Sequence, residues 1–137
     1  AYLHATIEDG INPTEIGLLV RSAEHLLRAR EAVAAAGLEG RQLTERAEDS
    51  GNCVSLGTMH LAKGLEFKVV IVMACDDEAL PLQSRVDEAT DEDELREVFE
   101  TERHLFYVAC TRARDRLHVS GVRPVSDFID DMIPRAV

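Results

Sequence analysis

The chain has 137 residues, 45% hydrophobic and 30% charged, which is typical of one globular domain with its own core. No apolar run approaches the roughly 20 residues that a membrane-spanning helix needs, so we expect a cytoplasmic protein without a membrane partner. Three widely separated cysteines and five histidines without ligand spacing predict neither a disulfide framework nor a metal site.

The net charge of −11 is unevenly distributed along the chain. Residues 76–102 carry 12 acidic side chains against two arginines, and the remainder is almost neutral. Affinity for a phosphate backbone depends on local lysine and arginine, so the total charge does not exclude a nucleic-acid ligand. An alternative is that the acidic segment is a docking surface for another protein.

The first third of the chain predicts a helix, a strand and a second helix. The first helix ends at Gly10, and the apolar run at 16–20 suits a strand that is buried on both faces. Ser22 is placed to cap the second helix, which ends at Gly37. The apolar face of that helix comprises Leu26, Leu27, Ala29, Val33 and Ala36.

The remainder predicts more strands and two further helices. Strands are expected at 41–43, 53–57, 68–74 and 116–120, with a polar connection at 49–51, a loop at 79–90 and a closing helix at 125–133. A long helix from Asp91 has a stripe at the helical period: Leu95, Val98, Phe99, Glu102, Leu105, Phe106 and Ala109. Near-continuous Val and Ile runs separated by helices predict an α/β fold, with a mostly parallel sheet covered on both faces.

Two segments and one isolated arginine carry the candidate chemistry. The segment TMHLAKGLEF at 58–67 places polar groups in a crossover between strands, where open parallel sheets bind ligands: Thr58, His60, Lys63, Gly64 and Glu66. The segment ETERHLFYVACTRARDRL at 100–117 ends a helix with Arg112, Arg114 and Arg116, and a guanidinium can bind phosphate oxygens bidentately. Arg21 follows the first strand. Each feature alone is more typical of a polar loop, a helix end or a solvated side chain.

Together and in this order, the segments resemble motifs of a known family. Residues 54–72 resemble motif V, and residues 100–117 resemble motif VI, of the UvrD/Rep-like superfamily 1 DNA helicases; IGLLVRS at 16–22 resembles motif IV. The resemblance implies a second RecA-like motor domain, called 2A, over residues 1–137. Many relatives insert an accessory 2B domain where this chain has only 16 residues between Gly37 and Val54, so we expect 2B to be absent.

The resemblance also implies ligands and partners. ATP and Mg²⁺ would lie between this domain and an N-terminal RecA-like domain of the same polypeptide, and single-stranded DNA would cross both domains. Arg112 matches an arginine that contacts the γ-phosphate, and Arg21 matches a second such contact. Both guanidinium groups are expected to point into the shared cleft.

The resemblance assigns some residues of the crossover segment to the nucleotide and others to the DNA. Glu66 matches the acid that hydrogen-bonds the nucleotide sugar, and Gly64 lies in the same nucleotide-facing loop. Thr58 and His60 match positions near the DNA, and Lys63 is grouped with them.

The departures from the family pattern qualify these roles. Val20 stands where relatives often have an aromatic residue that stacks on adenine, and His104 follows Arg103 where two arginines are common. The sequence has no GxxxxGK[ST] phosphate loop and starts inside a predicted helix, so we expect a fragment that does not hydrolyse ATP alone. The alternatives are a degenerate RecA-like module that binds a protein and the motor of a helicase-nuclease.

Overall fold

Five parallel strands form one sheet in the computed structural model, which describes residues 2–43 and 52–132. The helices are α1 (Tyr2–Glu8), α2 (Leu26–Ala35), α3 (Gln83–Glu88), α4 (Glu92–Cys110) and α5 (Asp127–Asp130). The strands are β1 (Ile16–Val20), β2 (Gly40–Gln42), β3 (Val54–Thr58), β4 (Phe67–Val72) and β5 (Ala113–Val119). Their order across the sheet is β2-β3-β1-β4-β5, and every neighbouring pair is parallel. The predicted α/β class with a mostly parallel sheet is therefore confirmed.

Both faces of the sheet are buried, as the apolar runs predict. Ile16, Leu18 and Val20 on β1 join one apolar core, against α1 and α2. Leu19 points to the opposite face and joins a second core, against α4 and α5. This alternation follows from the two-residue period of a strand, and it explains why all five residues of β1 are buried.

Gly17 allows the centre of the sheet to pack closely against an aromatic ring. A Cβ atom at this position would lie 2.6 Å from Cδ2 of Phe67, well inside van der Waals contact. Phe67 begins β4 and is itself buried, with 8% of its surface exposed. The ring therefore occupies the space that a side chain at position 17 would need.

The structure differs from the sequence-based prediction at the start of α2. Ser22 precedes a 3-10 helix at Ala23–His25 and makes no side-chain cap hydrogen bond, so α2 starts only at Leu26. The buried residues of α2 are Leu26, Ala29 and Val33, whereas Leu27 is 63% exposed. The prediction for Leu27 was wrong because it lies one residue off the stripe that faces the sheet.

The loop predicted at 79–90 contains a helix instead. Helix α3 spans Gln83–Glu88, and Ala79 and Leu80 are buried just before it. The Leu82 backbone N–H donates a hydrogen bond to Glu102 Oε1 at 3.0 Å, so contact with α4 fixes the entry to this helix. A tertiary contact of this kind overrides local propensity.

The predicted first helix and the predicted start of the long helix are both present. Helix α1 ends at Glu8, two residues before Gly10, and Gly10 and Gly37 follow their helices with positive φ. Asp91 caps α4 by accepting a hydrogen bond from the Glu94 N–H. The closing helix is only Asp127–Asp130, and the polar connection at 49–51 includes only residues outside the described part of the chain. Within the described ranges, no helix has the length and apolar character needed to cross a bilayer.

The tight contact at Gly17 generates a stability prediction. Gly17→Ala should lower the free energy of unfolding by about 1–3 kcal/mol, because the new methyl group displaces the Phe67 ring. Urea denaturation of this variant and of Ala34→Ser, on the exposed side of α2, measures the difference. The control should stay within about 0.5 kcal/mol of the parent protein. Equal stability of the two variants would contradict the packing described here.

Candidate functional sites at two edges of the sheet

Arg21 is buried at the edge of the sheet where the strands end, the carboxyl edge. It follows Val20, the last residue of β1, and has 4% of its surface exposed. Its Nε donates to Glu102 Oε2 at 2.7 Å, and its Nη2 donates to Glu102 Oε1 at 2.9 Å. This bidentate geometry is the strongest form of arginine-carboxylate pairing. Arg21 therefore presents almost no surface to a ligand.

Glu102 is the buried acid that the structure adds to the site. It lies in the apolar stripe of α4, and its side chain is fully buried. A carboxylate loses its hydration when it is buried, so it must gain partners of equal strength. Arg21 and the Leu82 N–H supply them, and Arg85 Nη1 lies 3.9 Å from Glu102 Oε1. The sequence signal for the burial of Glu102 was its position in the helical stripe of α4, whose other residues are apolar.

The expectation that Arg21 and Arg112 point into one cleft is wrong. Arg21 follows β1 at the carboxyl edge, whereas Arg112 precedes β5 at the opposite, amino edge. The Arg112 carbonyl accepts a hydrogen bond of 2.9 Å from the N–H of Phe67, the first residue of β4. At about 3.3 Å per residue, the two ends of β4 are roughly 16 Å apart. Arg21 is therefore kept away from Arg112 in two ways. It is paired with Glu102, and it lies at the opposite edge of the sheet.

Thr58 and His60 lie at the carboxyl edge, beside Arg21. Thr58 ends β3 and is in register with Val20, and His60 follows in a 3-10 helix at Met59–Ala62. Burial lowers the pKa of His60, and the charge of Arg21 lowers it further. His60 is thus neutral at pH 7, and its imidazole is exposed. Both residues therefore lie at the carboxyl edge, and their contact with DNA stays a prediction.

Arg112 lies at the amino edge and is only partly buried. Its Nε donates to the Val108 carbonyl at 3.1 Å, and its Nη2 donates to Thr111 Oγ1 at 3.2 Å. Both acceptors are neutral and belong to the end of α4. Within residues 2–43 and 52–132, Arg112 has no carboxylate partner, so its charge is available to an anion.

The crossover from Met59 to Glu66 connects the two edges. Lys63 and Gly64 are exposed, and Gly64 adopts φ +82°, a left-handed conformation that glycine takes without strain. Glu66 is exposed at the amino edge, directly before the Phe67 N–H that binds the Arg112 carbonyl. Glu66 makes no hydrogen bond or ion pair with any described residue. The structure therefore places Glu66 near Arg112 in the backbone, away from Thr58.

No cluster of three or more His, Cys, Asp or Glu side chains suited to a metal ion occurs in the described ranges. The three cysteines are free thiols, and burial raises the pKa of Cys75 to about 12 and that of Cys110 to about 11. Cys75 and Cys110 are therefore protonated thiols at neutral pH.

The five-stranded, all-parallel sheet with helices on both faces has the α/β arrangement of a RecA-like domain. The model of the UvrD-like helicase C-terminal domain matches residues 20–123. The chain belongs to this family, so the resemblance noted in motifs V and VI is confirmed.

Two groups of relatives are similar to this chain in sequence. UvrD1 of Mycobacterium tuberculosis, named an ATP-dependent DNA helicase, is 47% identical over 73 residues, which are 53% of this chain and 9% of the relative. UvrD1 of Mycobacterium leprae is 42% identical over 101 residues, covering 66% of this chain and 12% of the relative. PcrA of Staphylococcus epidermidis is 40% identical over 73 residues, 53% of this chain and 9% of its own length. The matched region thus spans about a tenth of these relatives.

A solved structure supports the fold independently. The C-terminal domain of a possible DNA helicase from Lactobacillus plantarum superposes with a TM-score of 0.60 and 22% identity. The match covers 93% of this chain and 67% of that one.

The buried pair generates a second stability prediction. Glu102→Gln should lower the free energy of unfolding by about 3 kcal/mol or more, because it leaves the buried Arg21 charge without a counterion. Glu100→Gln, on the exposed side of the same helix, should change it by less than about 0.5 kcal/mol. Denaturant titration of both variants gives the comparison. Similar small losses would show that the Arg21 charge is not confined by Glu102.

Proposed function

We propose that this chain is the C-terminal motor domain of an ATP-dependent DNA helicase or translocase acting in the cytoplasm. Membership of the UvrD-like C-terminal family supports this, as do relatives that are named ATP-dependent DNA helicases. An N-terminal RecA-like domain of the same polypeptide binds ATP and Mg²⁺, and this domain closes on it. Alone, the chain is inactive because it lacks a phosphate loop.

The availability of Arg112 carries the proposal. Of the two arginines expected at the γ-phosphate, Arg21 is neutralised by a buried carboxylate, whereas Arg112 has only neutral acceptors among the described residues. A guanidinium that enters the cleft on closure stabilises the charge that develops on the transferred phosphoryl group. We therefore assign this role to Arg112 alone and a structural role to Arg21.

The other amino-edge groups fit the remainder of a nucleotide. Glu66 offers an exposed carboxylate that can accept hydrogen bonds from sugar hydroxyls, and Gly64 lets the crossover approach the ligand closely. The described residues offer no cluster of metal ligands, so Mg²⁺ would be held by the partner domain and the phosphates. ATP supplies the leaving group, and this chain supplies the cation and the sugar contact.

Single-stranded DNA is assigned to the carboxyl edge. Thr58 offers a hydroxyl, His60 an exposed neutral imidazole, and Lys63 an exposed ammonium on the following crossover. The 3-10 helix that carries His60 packs against α4, whose end carries Arg112. Closure of the cleft around ATP would then move the DNA-facing segment together with Arg112.

Part of the acidic segment has structural roles, which limits the alternative of an acidic docking module to the other acids. Three of its twelve acids are occupied within the chain: Glu102 binds Arg21, Asp76 binds Arg28 at 2.6 Å, and Asp91 caps α4. Asp76 also accepts a hydrogen bond from the Val122 N–H. Burial is the largest influence on the pKa of its carboxyl and raises it, but the hydrogen bonds from Arg28 and Val122 and the charge of Arg28 lower the pKa below its ordinary value. These acids hold elements together, so they are not free for a partner.

Arg112→Ala in the full-length protein tests the proposal. ATP binding should be preserved, and DNA-stimulated ATP hydrolysis should fall at least about 100-fold, because an inserted arginine contributes on the order of 10³ to 10⁵ in turnover. Nucleotide affinity and steady-state hydrolysis are the two measurements. The matched control is Arg114→Ala, two residues away, exposed and without a described partner. Near-normal turnover in Arg112→Ala, or equal loss in both variants, would refute the assignment.

A further inference from the structure

Helix α3 borders an acidic cavity at the carboxyl edge of the sheet. Gln83, Ser84 and Asp87 face this cavity of about 740 Å³, which lies between α3 and the loops that follow β4 and β5. Its acidic lining residues are Glu24, Asp76, Asp77, Glu78 and Asp87. Positions 83, 84 and 87 lie on one face of a helix, and position 85 lies on another. Arg85 therefore points to a different side of α3 from Asp87.

Arg85 occupies the other face of α3, towards Glu102. Its Nη1 lies 3.9 Å from Glu102 Oε1, too far for a hydrogen bond, and 40% of its side chain is exposed. Both oxygens of Glu102 already accept shorter bonds from Arg21 and the Leu82 N–H. A long, exposed ion pair of this kind contributes little to stability. Arg85 is therefore a cation that the fold positions without neutralising it.

A chain of contacts links Arg85 to the segment that carries His60. Arg85 lies 3.9 Å from Glu102, Glu102 binds Arg21, and Arg21 directly follows Val20, which is in register with Thr58. Burial lowers the pKa of His60 most, the charges of Arg21 and Arg85 lower it further, and Glu102 opposes them. Because Glu102 and Arg21 neutralise each other, Arg85 is the cation of this group that remains for a phosphate.

We propose that Arg85 is a further nucleic-acid contact, which binds a backbone phosphate of the single strand beside Thr58 and His60. This inference rests on the proposed function, since it adds a residue to the same nucleic-acid surface. Glu102 acts on Arg85 as a positioning residue: it attracts the guanidinium to the carboxyl edge, while its two oxygens already accept three shorter hydrogen bonds, two from Arg21 and one from the Leu82 N–H. A phosphate oxygen offers Arg85 the short bidentate bonds that Glu102 does not.

The salt dependence of DNA binding tests this role. Affinity of the full-length protein for a fluorescein-labelled oligothymidylate is measured by anisotropy at several potassium chloride concentrations. Loss of one phosphate contact should reduce the slope of log K against log salt by about 0.7, equivalent to about five-fold weaker binding at 0.1 M salt. Arg85→Ala should show this change, and Arg85→Lys should largely retain the slope because it keeps the charge.

The control is the other arginine of the acidic segment. Arg96 is 70% exposed on α4 and lies 3.8 Å from Asp93, so Arg96→Ala should bind DNA with the parent affinity and slope. An unchanged slope in Arg85→Ala would overturn the inference, and so would equal changes in Arg85→Ala and Arg96→Ala. His60→Ala and Thr58→Ala separate this failure from a failure of the proposed function. If they weaken binding while Arg85→Ala does not, the DNA surface stands without Arg85; if none of the three variants weakens binding, the surface itself is refuted.

Discussion

The buried pair between Arg21 and Glu102 is the constraint on which the arrangement of the domain depends. It joins the end of β1 to α4, from residues 81 positions apart in the chain. A buried ion pair need not stabilise a protein more than apolar packing would. Removal of either charge, however, leaves the other buried without a counterion, which is strongly destabilising. The pair therefore fixes the position of α4 along the sheet, because a small displacement of the helix would expose or unpair two charges.

Helix α4 carries that constraint to the other edge of the sheet. From Glu102 to Cys110 the helix rises about 1.5 Å per residue, so it advances about 12 Å before Arg112 follows. Phe106 and Ala109 are buried along this path, and they hold the helix against the sheet. The Phe67 N–H then binds the Arg112 carbonyl and fixes the end of the helix to the start of β4. Arg112 thus extends from an element that is held at both ends.

Helices and strands that depend on residues close in sequence could be predicted. Contacts between residues distant in sequence could not. Continuous apolar runs gave β1 and β4, and the 3.6-residue stripe gave α4 with its cap at Asp91. The crossover residues and Arg112 became candidates because the order of their segments resembles that of a family. The pairing of Arg21 was missed since a lone arginine after a strand has the same local pattern whether it meets phosphate or carboxylate. Helix α3 was missed because a contact with Glu102, and not its own sequence, fixes its start.

The strongly negative composition is compatible with an anionic ligand because individual acids at the carboxyl edge have partners within the chain. Asp76 is bound by Arg28 and the Val122 N–H, and Glu102 is bound by Arg21. Arg85 lies 3.9 Å from Glu102, without a hydrogen bond, so it is the cation of this group with the least compensated charge. Fields at a protein surface fall off within about 10 Å at moderate salt, so a phosphate responds to near charges more than to the total. The net charge of −11 therefore does not decide whether a polyanion can approach this edge, because the pairing of the nearest charges has the larger effect.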